Sequence, residues 1–488
     1  MQILQAKYKY NQIVMRRLLY LGILLFVACT TPNYPGVDNP SQGGKYDNNI
    51  VAYIDQRLTN EYYWLDEVKE KSSTFNRTLP WEEYLDNSLA KLSTNIDDGY
   101  YNSQGQRAFY SYIRDVSSTT RATTTGFGIS LHYTIAIINN EGNYGFFIEN
   151  VYPDSPAEKA GIMRGDVITM VSNTPLNPSN YAERFNAIES SSVASLNLTL
   201  YRQCDAESFS VTLSKGQFTP TTVVYSDIID VKGYNKRIGY LVYTGFESEY
   251  DEQLIEEIEQ LAAEGAEEFI LDLRCNGGGA VNSASKLCAA LLPARFENGL
   301  LCSIVRNKNN TKSNKITEIV LQNTGQILNL ERLTVIGSGY TASASELVVM
   351  GLRGLDFPVR LIGSTTEGKN CGMDVTRLTI GSTTVEYAPI TFMCLDAKGF
   401  GGWGDGIIPD IDLTSQSNGM GVSDKNYPLP RTTWGDASYD IALAAALADI
   451  TGKSISQSST RAVEQMMKVV ATRTIPKPIS GIRNYVEE

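Results

Sequence analysis

The chain has 488 residues, enough for roughly three or four domains; 42% are hydrophobic and 20% charged, which excludes a wholly disordered or fibrous protein. Forty-two Lys and Arg against 54 Asp and Glu give a net charge of −12, so no basic footprint exists for a phosphate backbone and nucleic acid is not an expected partner. The histidine count of one, His132, all but excludes Ser-His-Asp or Cys-His catalysis and multi-histidine zinc sites.

In chain order, Lys7, Lys9, Arg16 and Arg17 precede an apolar run from Leu18 to Ala28 that is too short to span a bilayer and has the flanks of a secretory signal. Residues 1–28 read as a signal peptide and the polar, aperiodic stretch 29–46 as a tether. Phe26-Val27-Ala28-Cys29 resembles the lipobox of bacterial lipoproteins, which implies a lipidated Cys29 holding the protein to a membrane of the cell envelope, periplasmic or outer. Removing residues 1–28 takes four basic and no acidic residues, so the remainder carries −16. Six cysteines then remain, with no C-x-x-C and no cysteine–histidine cluster, so neither a zinc site nor an iron–sulfur site is expected, and no organic cofactor either. An exported compartment permits disulfides, with buried free thiols as the alternative.

Residues 47–118 carry Val51, Ile54, Leu58, Tyr62, Leu65, Trp81, Tyr84, Leu85 and Leu89 at three- and four-residue steps, predicting a small helical domain. Residues 120–216 change to short alternating runs separated by turn chemistry. From 217 to 475 strands and helices alternate, with buried apolar runs at Ile238–Tyr243, Phe269–Leu273, Leu333–Ile336 and Val359–Ile362 and a closing helix from Tyr439 to Ile450. Residues 476–488 read as a tail.

The 120–216 block resembles a PDZ domain. Its string Ser155-Pro156-Ala157-Glu158-Lys159-Ala160-Gly161-Ile162 runs into Gly165-Asp166-Val167-Ile168, and Gly126-Phe127-Gly128-Ile129 stands where such domains place their carboxylate-binding loop. The glycines let consecutive backbone N–H groups face a peptide terminus while the next strand offers an edge.

Two loops and one lysine carry the chemistry. Leu271-Asp272-Leu273-Arg274-Cys275-Asn276-Gly277-Gly278-Gly279 takes a buried strand into three glycines, a turn that exposes N–H groups to a phosphate or an oxyanion; no Gly-Lys-Ser/Thr follows to make it a P-loop. Thr341-Ala342-Ser343-Ala344-Ser345-Glu346 takes another strand into a helix, where Ser343 and Glu346 also fit an S-x-x-E capping box. With no histidine at hand, a lysine with a depressed pKa is the base a serine would need, and Lys369 follows the strand Val359–Ile362.

These strings, with Gly406-Ile407-Ile408-Pro409-Asp410, resemble in order and spacing the carboxyl-terminal processing peptidases, also called tail-specific proteases. The resemblance implies a multidomain α+β protein in which a helical domain and a PDZ-like β domain precede an α/β serine peptidase core of the ClpP/crotonase-like kind. It implies Ser343 as nucleophile, Lys369 as general base, Glu346 as the residue orienting the lysine, and the Gly278 and Ala344 N–H groups as oxyanion hole. Gly126, Phe127, Gly128 and Ile129 would bind a polypeptide substrate with an accessible C-terminus, which the enzyme would cleave upstream. The chain departs from the pattern where Asn276-Gly277-Gly278-Gly279 lacks the family's proline, and where Asn370 replaces a glycine after the lysine. A peptidase-like binding scaffold without turnover is the alternative. Ser283-Ala284-Ser285-Lys286 also reads as an S-x-x-K nucleophile motif, but its S-D-N and K-T-G companions are absent, and a helix surface is expected there.

Overall fold

The computed structural model describes residues 45–488 except 102–106, 117–123, 139–142, 190–192, 203–204, 206, 311–313, 415–432, 457–465, 473–481 and 486–488. The signal peptide, Cys29, nearly all of the tether and Cys204 lie outside the described residues. Residues 50–488 pack as one unit.

The helical periodicity at the start produces α1 (Lys45–Glu61), α2 (Leu65–Lys71) and α3 (Trp81–Leu89). Ile54, Leu58, Val68, Tyr84, Leu85 and Leu89 are buried, while Glu82 and Glu83 occupy the first turn of α3, where acidic side chains meet the positive end of the helix dipole. These helices share one core with Met373, Val375, Val385, Tyr387 and Ile390 from the far end of the chain. The same stretch adds the antiparallel pair β1 (Gly99–Tyr101) and β2 (Arg107–Phe109), then β3 (Tyr112–Asp115), which joins a sheet of the later core. Residues 47–118 are therefore a helical cap fused to that core; helical periodicity shows that a face is buried, not what buries it.

The second block contains β4 (Thr124–Gly126), β5 (Ile129–Ile138), β6 (Asn143–Val151), α4 (Pro156–Lys159), β7 (Val167–Val171), β8 (Thr174–Pro175), α5 (Tyr181–Glu189), β9 (Ser195–Arg202), β10 (Glu207–Ser214) and β11 (Gly216–Phe218). Ser155 caps α4 by accepting the Glu158 N–H, with Pro156 at its start, which is why Ser-Pro reads as a helix opening. Alternation on β9 turns Leu196, Leu198 and Leu200 into a core with Phe146, Ile148 and Ile168. β4 and β11 pair with each other, so the chain enters and leaves this domain side by side.

The third block opens with β12 (Val223–Ile229), β13 (Arg237–Tyr243), α6 (Asp251–Ala263), β14 (Ala266–Asp272) and α7 (Val281–Leu291), followed by β15 (Leu300–Arg306) and β16 (Ile316–Val320). It continues through β17 (Leu333–Gly337), α8 (Ala344–Gly354), β18 (Val359–Gly363), β19 (Cys371–Ile380), β20 (Thr383–Ala388), β21 (Ile390–Leu395), β22 (Ile411–Asp412) and α9 (Ile441–Thr451). One six-stranded sheet has the order β12-β13-β14-β17-β18-β22 and is parallel from β13 onward. A second has the order β16-β15-β21-β19-β20-β3. One face of the parallel sheet packs with α6, α7 and α8 in the largest core, and the other is covered by Trp434 and α9.

Two late strands cross domain lines. β23 (Met466–Thr472) pairs antiparallel with β5, and β24 (Ile482–Tyr485) pairs parallel with β19. The stretch read as a tail thus contributes a strand to the core, and the last part of the stretch read as core contributes one to the PDZ-like sheet. Among the described residues, no helix is long and apolar enough to cross a membrane.

Candidate active site

Three neighbouring parallel strands end on one side of the sheet. β14 runs into the glycine loop, β17 into the Ser338–Ser343 turn, and β18 into the loop carrying Lys369. The carboxyl ends of parallel strands are where α/β folds place their chemistry, because loops there are free of ladder constraints yet fixed by rigid strands.

Ser343 is the N-cap of α8 with φ 63° and ψ −113°, a left-handed conformation that a non-glycine residue holds only against strain. Ser343 and Glu346 stand in capping-box positions with only the glutamate arm formed, Ser343 N–H donating to Glu346 Oε2 at 2.7 Å. The Ser343 hydroxyl is fully buried and has no hydrogen-bond partner among the described residues. Ala344 opens α8, so its N–H has no acceptor within the helix.

Glu346 stitches the serine turn to the lysine loop. Besides Ser343, its carboxylate accepts from Thr366 Oγ1 at 2.6 Å, Gly368 N–H at 2.7 Å and Lys369 N–H at 2.8 Å. Burial pushes the carboxyl up to about 7, only partly offset by those hydrogen bonds. Lys369 itself is 1% exposed, and its Nζ lies 4.0 Å from the centroid of the Tyr110 ring. Gly368 has φ 90°, and a Cβ there would meet Gly404 O at 2.3 Å, so the residue before the lysine must be glycine. Asn370, which replaces the family's glycine, donates from Nδ2 to Gly401 O at 2.5 Å and ties the loop to the next segment.

The glycine loop is tied down by Asn276, not by the proline it lacks. Asn276 Nδ2 donates to Tyr243 O at 2.9 Å, its O accepts from Ala342 N–H and Ser345 Oγ, and its Oδ1 accepts the Gly278 N–H at 2.9 Å. Gly278 has φ 103°, and a Cβ there would meet Ser343 Cβ at 2.8 Å and Ala344 N at 2.9 Å. The two N–H groups expected to form an oxyanion hole are therefore close to the serine, with that of Gly278 already donating to Asn276.

Behind the loop lies a buried charge cluster. Asp272 accepts from Arg274 Nε at 2.9 Å and Tyr240 OH at 2.8 Å, and Arg274 Nη1 reaches Asp440 at 3.0 Å. Burial raises the Asp440 carboxyl, but Arg274 and Arg164 beside it hold it below the usual range. Arg164 belongs to the PDZ-like domain, and its guanidinium stacks 3.3 Å from the Trp434 ring centroid. The Gly406–Asp410 string packs on the lysine loop: Ile407 N–H donates to Thr366 Oγ1, and Asp410 accepts from Leu361 N–H and Arg353, both at 2.7 Å.

Gly126 ends β4, Ile129 begins β5, Gly128 has φ 79° and Phe127 is buried in the PDZ-like core. His132 lies on β5, in that domain's sheet. Ser283 is fully buried rather than on the expected helix surface, while Lys286 turns outward to Asp251 at 2.7 Å, so the S-x-x-K pair is not a dyad. A cleft of about 650 Å³ opens elsewhere, between Asp154 and Lys159 on one side and Tyr225 and Glu257 on the other, and none of the candidate catalytic residues lines it. Among the described residues no cluster suits a metal ion, and Cys275, Cys288, Cys302, Cys371 and Cys394 are free thiols. Sequence reasoning missed Thr366 and Tyr110; for Thr366 the signal was its place in the lysine loop, and for Tyr110 there was none.

The chain matches the models of two families, peptidase family S41 over residues 237–413 and the PDZ domain over residues 147–202, the latter beginning past the Gly126–Ile129 loop. It is 22% identical over 357 residues to carboxyl-terminal-processing peptidase 2, chloroplastic, of Arabidopsis thaliana, covering 71% of this chain and 65% of that one. It is 26% identical over 314 residues to the carboxy-terminal processing protease CtpA of Bacillus subtilis, covering 64% of this chain and 60% of the relative. The chain thus spans less than two thirds of the length of both. A solved structure from Bacteroides fragilis described as an S41 protease superposes with a TM-score of 0.62 at 20% identity over 86% of this chain and 99% of that one, which shows a shared fold. Residues 237–413 thus match peptidase family S41 and residues 147–202 the PDZ domain, on a fold shared with the solved Bacteroides fragilis structure.

Proposed function

We propose that the protein is an exported serine endopeptidase using a Ser343–Lys369 dyad. The observation that carries this reading is the convergence, at three adjacent strand ends, of a strained, buried serine whose hydroxyl has no partner among the described residues and a buried lysine, both tethered through their backbone to Glu346. Lys369, neutral in the competent state, accepts the Ser343 hydroxyl proton as Oγ attacks a peptide carbonyl, and the Gly278 and Ala344 N–H groups receive the oxyanion. The proton then passes to the leaving amine, and water repeats the sequence on the acyl-enzyme. Glu346 positions both partners through its backbone bonds. Because Ser343 is fully buried and Gly278 N–H is engaged by Asn276, substrate entry must part these segments and free that N–H.

The PDZ domain would take the C-terminus of an unfolded polypeptide at Gly126, Phe127, Gly128 and Ile129. β23 reaches only to Tyr133 on β5, so a tail of about four residues would pair with the stretch from Ile129 to His132. Cys29 would carry lipid and hold the enzyme to the cell envelope. The engaged Gly278 N–H is the one observation favouring a scaffold without turnover. Incubating an unstructured protein such as casein with the full chain, Ser343→Ala and Lys369→Ala decides: cleavage by the wild type alone is expected, and intact casein in all three from neutral to alkaline pH overturns the peptidase reading. Mass spectrometry of the mature N-terminus should find diacylglyceryl on Cys29, and a free thiol there refutes the anchor.

A further inference from the structure

Lys369 meets a group from the other end of the chain that neither the motif strings nor the dyad uses. Tyr110, between β2 and β3 in the N-terminal cap, presents its ring to Lys369 Nζ at 4.0 Å from the centroid. This is well inside cation–π range, in a place where the lysine is 1% exposed and the contact is little weakened by water. The ring is held on both sides. Its hydroxyl donates to Glu367 Oε1 at 2.8 Å, two residues before the lysine, and Tyr100 packs against it with centroids 5.1 Å apart. The Ser343 hydroxyl, by contrast, has no hydrogen bond among the described residues, Lys369 included, so it is not the lysine's partner in this arrangement.

Resting on the reading of Lys369 as base, we propose that Tyr110 is a positioning residue whose ring seats the Lys369 ammonium away from Ser343, so that the dyad forms only when the lysine leaves that seat. The ring favours the charged lysine, and the neutral lysine that can take the serine proton gains nothing from it, so the seat holds the base in its resting form. Other groups act on the same ammonium. Asp98 is fully buried, accepts from Ser111 and from Tyr62 OH at 2.6 Å, and interacts with the lysine charge; the Cys371 thiol does likewise, Glu367 stands behind the ring, and Glu346 holds the lysine N–H. The acidic groups are common to every variant below, so only the ring differs between them.

The test replaces the ring's charge distribution and keeps its shape. In the full chain, Tyr110→Phe retains the ring and loses only the bond to Glu367, while pentafluorophenylalanine at the same position reverses the ring quadrupole at nearly the same volume. Two readouts are followed: the acid limb of kcat/KM on casein, and, in a Ser343→Ala background, the NMR titration of the Lys369 Cε resonance assigned by Lys369→Arg. The Phe chain should titrate with the wild type. The fluorinated chain should titrate about one pH unit lower, with kcat/KM raised up to about tenfold on the acid side of the limb. Equal midpoints in all three chains overturn the proposal, as does a Phe chain that shifts as far as the fluorinated one, since the hydroxyl would then be the cause. Failure of the dyad reading is separable: casein cleavage persisting in Lys369→Ala removes Lys369 as base, whatever the titration shows.

Discussion

The Glu346→Gln chain is expected to gain stability on the wild type as the pH rises from about 5 to about 9. Glu346 is fully buried and its carboxylate is surrounded by four donors at 2.6–2.8 Å. Desolvation disfavours the charge and the donors favour it; the balance leaves the carboxyl at about 7 against an ordinary 4.5, so desolvation wins by about 2.5 units, or about 3 kcal/mol. The proton is held more tightly in the folded than in the unfolded chain. The stabilisation is therefore fully present below about pH 4.5 and is lost as the pH rises through about 7. Gln keeps the shape and does not titrate, so subtracting one protein from the other cancels every other titrating group. Urea unfolding of both full chains at intervals across this range should show the wild-type advantage falling by about 3 kcal/mol. A flat difference, or a wild type that gains on Gln with rising pH, refutes the reasoning, because the donors would then be holding the carboxylate ionised below neutrality.

The same substitution should lower kcat on casein at least about tenfold at every pH, since one amide oxygen can replace either Oε2, which accepts from Ser343 and Lys369 N–H, or Oε1, which accepts from Thr366 Oγ1 and Gly368 N–H, and the amide NH2 in the other place repels the donors there. Gly368→Ala forces a positive φ on a residue with a Cβ and drives that atom against Gly404 O, which should cost about 3 kcal/mol in unfolding experiments and abolish cleavage. Arg164→Ala removes one of two cations beside buried Asp440 and the contact with Trp434; with Arg274 still in place the loss should be about 2 kcal/mol, read by urea unfolding followed through tryptophan fluorescence. Ser283→Ala and Lys286→Ala should leave casein cleavage unchanged, because Lys286 is committed to Asp251 and not to the serine.

What the sequence conveyed well was local. Apolar runs such as Phe269–Leu273 ending in glycines announce a buried strand followed by an exposed turn, and that pattern places Gly278, Ser343 and Lys369 at strand ends. Glu346 was legible as a residue but not in its bonding: its oxygens hold backbone N–H groups of both loops, a choice that depends on how two loops approach in space. Tyr110 and Glu367 are bonded across 257 residues, and nothing in the spacing of either reveals the other. The role of Asn276 as the clamp of the glycine loop was hidden for a similar reason, since an asparagine in a turn has many local uses and only the fold selects Tyr243 O as its acceptor. The partner of the N-terminal helices was also out of reach, because an amphipathic stripe carries no address.

The strand β23 has a consequence for how the PDZ domain can be handled. Its sheet is assembled from two separate stretches of chain, β5 to β10 and, about 250 residues later, β23, after which the chain returns to the core as β24. Severing the peptide backbone at one point therefore leaves the domain joined to the core through another connection, and native gel mobility should survive a single nick. A fragment made from residues 120–216 alone would expose the edge of β5 that β23 covers, and an open edge of this kind invites pairing between copies. Excised at its apparent boundaries, the domain becomes a self-associating object, whereas within the whole protein that edge is closed by the chain itself.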